Sequence, residues 1–192
     1  MKAATLPLFM LFAVLLTSCE QSKPISPEAL AQGKTHALTA QKALGGQLMK
    51  ALGEGGTIHA LNYCNLEAAN ITKQASENTG VKISRASDQY RNPANAANAD
   101  QLAYIKKAKA AIEDGQAPTP EIKRINKQLV GYYPIMTNGM CLQCHGRQGK
   151  TLLAETQERI QSLYPDDKAV GYDVDQLRGI WVIEMDEESL AN

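Results

Sequence analysis

Between residues 26 and 79 apolar side chains recur every three or four positions, the spacing that lines one face of an α-helix. Ser26-Pro27-Glu28 supplies an N-cap, a first-turn proline and an acid beside the helix dipole, so a helix begins there. Leu30, Ala37, Leu44, Leu48 and Leu52 form its expected stripe, Gly33, Gly45 and Gly46 weaken it, and Gly53-Glu54-Gly55-Gly56 ends it. A second helix is expected from about Thr57 to Asn78. Ile58, Leu61, Cys64, Ala68, Ile71 and Ala75 fall on one of its faces, and His59 points almost the opposite way. Gly80 stops it.

The period then changes. Val81 to Ser87 reads as a strand, and Asp88 to Asn95, rich in Asn and carrying Pro93, as an irregular loop. Asn98 can cap a third helix whose apolar positions are Leu102, Ile105, Ala108 and Ile112, with Lys106, Lys107 and Lys109 toward solvent. Gly115 to Pro120 breaks it, and the stretch from Glu121 has no clear period. Leu129 to Met136 is extended by composition, with Pro134 near its end. Further on, Leu152, Leu153, Thr156, Ile160 and Leu163 predict a short helix that stops before Pro165. Leu177 to Met185 is the strongest strand: Trp181, Ile183 and Met185 share one face and Ile180 and Val182 the other, so both faces are expected to be covered. The acidic residues from Asp186 are expected to fray.

Asn138-Gly139 turns the chain into Cys141-Leu142-Gln143-Cys144-His145, a C-x-x-C-H run. Two thiols one helical turn apart can add to the two vinyl groups of one porphyrin, and the histidine after the second can bind its iron through a neutral imidazole nitrogen. Gly146 lets the chain leave without a side chain against the ring. Two other chemistries use the same spacing. A thioredoxin-like redox pair needs a preceding strand and an exposed, activated first thiol. A zinc site needs two further ligands, and the sequence has no second C-x-x-C or H-x3-H pair. Covalent haem is the expectation.

The N-terminus supplies an address. Lys2 precedes an apolar run, Leu6 to Leu16, that is too short for a permanent membrane span. Leu16-Thr17-Ser18-Cys19 resembles the lipobox of bacterial lipoproteins, in which cleavage leaves Cys19 lipid-modified; an ordinary signal peptide with an incidental cysteine is the alternative. The expected organisation is a signal peptide at 1–18, a polar, proline-punctuated spacer at 19–26, one domain at 27–186 and a tail at 187–192. The protein is then exported to the bacterial periplasm and tethered to a membrane by acyl chains on Cys19. With 20 basic and 20 acidic residues, no electrostatic case for nucleic acid arises. Aromatic content of 5% beside plentiful alanine favours helices packed closely on small side chains. Once Cys19 goes to lipid and Cys141 and Cys144 to haem, Cys64 is left alone in an oxidising compartment.

The second axial face of a haem decides between carrying electrons and binding a small molecule. Cys64, His36, His59, Met49, Met136, Met140 and Met185 are the available ligands. Periodicity favours Cys64, which lies on the buried face of its helix, although a free cysteine there also serves as a small hydrophobe.

Four runs occur in order: Ala60-Leu61-Asn62-Tyr63-Cys64; Val81 to Ser87 leading into Arg91-Asn92-Pro93-Ala94-Asn95; Pro134 ahead of Cys141 to Gly146; and Gly171-Tyr172 with Leu177-Arg178-Gly179-Ile180. Together they resemble an exported c-type haem family long catalogued as a domain of unknown function, over about residues 27–185. The resemblance implies an α+β fold with a PAS-like antiparallel sheet flanked by helices. It also implies one covalent haem on Cys141 and Cys144, His145 as proximal ligand and Cys64 as a distal thiolate. Many members are the sensor portion of larger signalling proteins. No transmembrane helix or output domain is expected to follow here, so that role is not carried over intact. Arg85 and Arg91 are the expected partners of haem propionates or of the thiolate, with a solvated surface charge as the alternative for each. Asn92, with Pro93 and Asn95, builds either a loop over the haem edge or only a turn.

A thiolate opposite His145 favours ferric iron. On reduction the Fe–S bond weakens, the thiol can protonate, and the vacated face can bind CO or NO. The expected function is a non-enzymatic haem lipoprotein responsive to redox state or to a small gas. A simple electron-transfer cytochrome with two permanent ligands is the alternative. A four-helix cytochrome is a third, against which the strand after the motif speaks. The sequence offers no distal acid–base pair of the kind a haem peroxidase needs, so no enzymatic role is expected.

Overall fold

The fold is that of a computed structural model in which residues 24–188 are described. The expected signal peptide, Cys19, most of the spacer and the last four residues of the tail lie outside the described residues.

Helix α1, Pro27–Thr79, opens as expected on Ser26, whose side chain accepts from the Ala29 N–H. It is interrupted at Gly55 (φ −159°, ψ 21°) and Gly56 (φ 69°, ψ −165°). The Tyr63 hydroxyl donates to Gln47 Oε1 at 3.2 Å. Sixteen residues along a straight helix span about 24 Å, so the chain reverses at the glycine pair and α1 is a helical hairpin with arms 27–54 and 57–79. The first arm does not bury the expected leucine stripe. Its buried positions are Ala29, Gly33, Ala37, Ala40 and Ala51, because small residues let the backbone lie close to the sheet. Tyr133 exploits that approach and donates its hydroxyl to the Leu30 carbonyl at 3.0 Å. In the second arm Leu61 and Ala75 are buried, Ile58, Cys64, Ala68 and Ile71 half-buried, and His59 exposed, as the periodicity requires. Gly80 closes the arm in a left-handed conformation.

Four antiparallel strands follow: β1 (Lys82–Ala86), β2 (Glu121–Ile125), β3 (Gln128–Met136) and β4 (Leu177–Asp186), in the spatial order β1-β4-β3-β2. The expected α+β arrangement, an antiparallel sheet flanked by helices, is thus present. The last strand in sequence lies inside the sheet, and both of its faces are covered. Trp181, Ile183 and Met185 pack with Ala29, Ala37, Ala40 and Ala75 of the hairpin. Ile180 and Val182 pack with Tyr104, Ile105 and Ala108 of α2 (Ala99–Glu113) on the other side. Asn98 forms the expected cap, reinforced by a reciprocal bond with Gln101. The apolar face of α2 is rotated from the expected one: Leu102 is 43% exposed and Tyr104 takes its place in the core. The stretch from Glu121, without a clear period, is edge strand β2, joined to β3 by Asn126-Lys127 with both φ values positive. Pro134 lies past Tyr132, the last β3 residue paired with β2, where its missing N–H interrupts no ladder on that side. Glu187 in the expected tail pairs with Arg124, and Ile25 in the expected spacer packs on the core.

Two short helices complete the fold, α3 (Leu142–His145) and α4 (Ala154–Leu163). Leu152 and Ile160 pack with Leu61 of the hairpin in a third cluster that Cys144, Leu163 and Val170 border. Leu153, expected in that stripe, is exposed. Among the described residues no helix is long and apolar enough to cross a membrane.

Candidate functional site

Strand β3 delivers the chain to buried Thr137, whose hydroxyl donates to the Asp173 carbonyl at 2.6 Å and whose N–H donates to Gln176 O. Asn138 then caps a 3₁₀ turn, Gly139–Cys141, that runs into α3. Cys141, Cys144 and His145 are thereby presented one helical turn apart, with both thiols free. Gly146 is required for a reason other than the one expected. A Cβ there would overlap the Thr151 hydroxyl and the Leu142 carbonyl, so the glycine serves chain packing.

Residues 169–172 wrap around His145. Gly171 N–H donates to Gly146 O and Tyr172 N–H to His145 O, each at 2.9 Å. The Ala169 carbonyl lies 2.7 Å from His145 Nδ1. Arg178 Nε also approaches Nδ1, at 3.3 Å, and can only donate. The two contacts require opposite tautomers, and the shorter one prevails: Nδ1–H donates to Ala169 O, and the Arg178 guanidinium is held by Ser87 Oγ and the Gln89 carbonyl. Nε2 keeps its lone pair. Burial and the cations Arg178, Arg91 and Arg85 hold the His145 pKa well below the ordinary histidine value, so the ring is neutral near pH 7. A neutral imidazole with Nδ1–H committed to a carbonyl is a preoriented metal ligand.

Burial pushes the Cys144 thiol up, and Cys64, on the 57–79 arm, lies near enough to add to that push. Thr57 Oγ1 donates to Gln143 Oε1 at 2.9 Å, and Arg159 of α4 donates to Asn62 Oδ1 at 2.7 Å, so the arm is fastened to the dithiol segment before Leu61 and to α4 after it. Burial pushes the Cys64 thiol up, while Arg85 and Arg91 pull it down. The alternatives are placed elsewhere. Met185 is 1% exposed in the core, Met136 packs on the α2 side, Met49 is 54% exposed, and His59 pairs with Glu54 at the hairpin tip. His36 is half-buried on the first arm with Nε2 unpartnered among the described residues. Met140 is half-buried beside Cys141.

Arg85 lies on the sheet with its guanidinium 5.9 Å from the Trp181 ring centroid, and among the described residues it has no carboxylate or hydrogen-bond partner. Arg91 is engaged through Nε and Nη2. It pairs with Asp167 and donates to the carbonyls of Cys144 and Ala169. Asn92 caps the Pro93–Asn95 turn at the surface, accepting from Ala94 N–H. Arg178, Asp167 and Ala169 carried no role in the sequence reading. A charge at the start of the most apolar strand is the signal that marks Arg178.

The donor set selects among the three chemistries. The first thiol, Cys141, is half-buried and donates to Asn138 Oδ1 at 3.3 Å, so it is not the exposed, activated first thiol of a redox pair. No three His, Cys, Asp or Glu side chains converge to hold a bare metal ion among the described residues. Two unpaired thiols, a neutral imidazole with a free Nε2, and guanidiniums around them fit a porphyrin that brings its own iron and carboxylates.

A family model described as Tll0287-like matches residues 18–185. A solved structure, that of the cyanobacterial haem protein Tll0287, is similar with a TM-score of 0.60 at 22% identity, covering 85% of this chain and 98% of that one. Among curated proteins none matches.

Proposed function

The chain belongs to the Tll0287-like family, and from that premise we propose that it is a non-enzymatic c-type haem protein, exported to the periplasm and held at a membrane by a lipid on Cys19, with Cys64 as an exchangeable axial ligand. Cys141 and Cys144 would carry the haem through thioethers, His145 would bind its iron through Nε2, and Cys64 would take the opposite face. A bound haem supplies a one-electron iron couple and an axial position for CO or NO.

The observation that carries the reading is the commitment of His145 Nδ1–H to Ala169 O at 2.7 Å, beside two free thiols and within the field that Cys64 shares with Arg85 and Arg91. Cys64 is the group that can leave. As a thiolate it donates strongly to a cationic metal; once protonated it is a poor donor and withdraws. Burial favours the protonated form and the two arginines favour the anion, so a change of charge at the site shifts the balance.

The same cations favour a second reading, an electron-transfer protein that keeps both ligands in both oxidation states. CO addition to the reduced protein separates the two: ready binding supports exchange, and an unchanged six-coordinate spectrum supports plain electron transfer. The parent reading is tested by intact mass and by low-temperature EPR of the ferric protein against Cys64→Ala. One covalent haem per lipid-modified chain and two different spectra are expected. Identical spectra remove Cys64 from the metal, and a colourless product from cells with c-type maturation machinery removes the haem.

A further inference from the structure

We propose that the buried Arg91–Asp167 pair is a positioning device for His145, acting through the Ala169 carbonyl to set how strongly the imidazole donates to iron. The inference rests on the haem reading above and assigns Arg91 a task other than holding a propionate.

The side chains of Arg91 and Asp167 are 12% and 7% exposed. Arg91 Nε and Nη2 reach Asp167 Oδ1 and Oδ2, both at 3.1 Å, a two-pronged pairing. Nη2 also donates to Cys144 O at 2.7 Å and to Ala169 O at 3.3 Å, and Asp167 Oδ1 accepts the Ala169 N–H at 3.0 Å. One peptide carbonyl, that of fully buried Ala169, therefore takes both the His145 Nδ1–H and a guanidinium N–H.

A carbonyl shared with a cation is a weaker acceptor for its second donor. The Nδ1 proton is held more firmly on the ring, and the imidazole has less imidazolate character. It then stabilises ferric iron less, and the reduction potential lies higher than a lone carbonyl would leave it. Asp167 offsets part of the cation's field. The backbone bonds Gly171 N–H to Gly146 O and Tyr172 N–H to His145 O also hold the segment, so it stays in place when a side-chain bond to Ala169 is lost. Changes at residues 91 and 167 thus reach His145 chiefly through the acceptor strength of the Ala169 carbonyl.

The test is a spectroelectrochemical one-electron titration of the holoprotein and two variants. Arg91→Gln removes the cation and frees the Ala169 carbonyl, so the midpoint potential falls. Asp167→Asn leaves the cation without its counter-charge, so the potential rises. Opposite shifts from the two sides of one ion pair are expected, whereas a merely structural role moves both in the same direction. Haem-bound variants with unchanged potentials, or with shifts of the same sign, overturn the proposal. Arg91→Lys separates the carbonyl route from the bare field of the charges: lysine keeps the charge but cannot span Asp167, Cys144 and Ala169 together, so the potential falls, and an unchanged potential overturns the proposal. A wild-type protein without haem removes the parent reading and this one with it; a red wild type whose variants fail the sign test removes this one alone.

Discussion

Replacing glycine by alanine at successive positions of α1 gives changes of opposite sign, because the same methyl group meets three different situations. Gly45 and Gly46 have helical backbone, and a Cβ at either finds nothing within 4 Å. Each substitution gains helix propensity, about 0.8–1 kcal/mol. Gly56 also has open space around it, but its φ of 69° and ψ of −165° belong to a region that is nearly glycine's alone. Strain there costs about 1–3 kcal/mol, offset by roughly 0.4–1 kcal/mol from the stiffer unfolded chain, a net loss of about 1–2 kcal/mol. At Gly33 the backbone is helical and alanine would be favoured, yet its Cβ overlaps the Tyr133 hydroxyl and lies 2.8 Å from Tyr133 Cζ. Overpacking of about 1–3 kcal/mol and a lost hydrogen bond of about 1 kcal/mol exceed the propensity gain. Urea unfolding followed by far-UV circular dichroism reads all four variants, provided the m-value stays constant. For a domain of this size 1 kcal/mol moves Tm by about 2–4 °C, so Gly46→Ala rises by roughly that amount and Gly56→Ala falls by at least as much. Equal effects at 46 and 56 would refute the chain reversal at the glycine pair, and with it the placement of Cys64.

Three further outcomes are expected. Ile183→Ala empties a fully buried position on the central strand and costs about 2–5 kcal/mol by the same unfolding assay. Burial lowers the His36 pKa below its unfolded value, so the neutral ring's contribution is full above pH 6.5 and is lost as pH falls from there through the lowered folded-state value; His36→Gln flattens the stability profile below about pH 7 in denaturation midpoints measured across that range. Arg85→Met removes a cation that favours the Cys64 anion, and on the proposed ligation CO binding to the reduced protein, read in the Soret band, tightens by roughly fivefold, the effect of one unit charge at about 4 Å in high dielectric, about 1 kcal/mol.

Much of the fold was legible because the chain obeys simple local rules at its element ends. Ser26, Gly80 and Asn98 cap where the sequence places caps, and Leu177 to Met185 alternates cleanly enough to announce a strand covered on both faces. What was misread has a common physical origin in close packing. A search for large apolar side chains selects Leu30, Leu44 and Leu48, whereas the helix approaches the sheet through Ala29, Gly33, Ala37 and Ala40, so that Tyr133 can reach the Leu30 carbonyl. The edge strand β2 escaped because its five residues are all half-buried, which erases the alternation that marks a strand. The glycine run at 53–56 was read correctly as a break, but only the Tyr63–Gln47 bond reveals that the chain folds back there.

The site was legible by residue type and less so by charge. Twenty basic and twenty acidic residues cancel over the whole chain, yet Arg85, Arg91 and Arg178 gather around His145 and Cys64. Asp167 is the one carboxylate paired with any of them among the described residues. Three cations less one anion leave two positive charges in a region of low dielectric, a costly arrangement without further anions. The Cys64 thiolate and the carboxylates of a bound porphyrin are the groups that would balance it. They do not compete for all three cations equally. Arg91 is occupied by Asp167 and two carbonyls, and Arg178 by Ser87 and Gln89. Arg85, resting on Trp181, has no carboxylate or carbonyl partner among the described residues and so has the most donors to spare. On the proposed ligation, the anion it serves would decide how firmly Cys64 is held: a guanidinium turned to the sulfur would favour two permanent ligands, and one drawn to a carboxylate would leave the thiol free to protonate and depart.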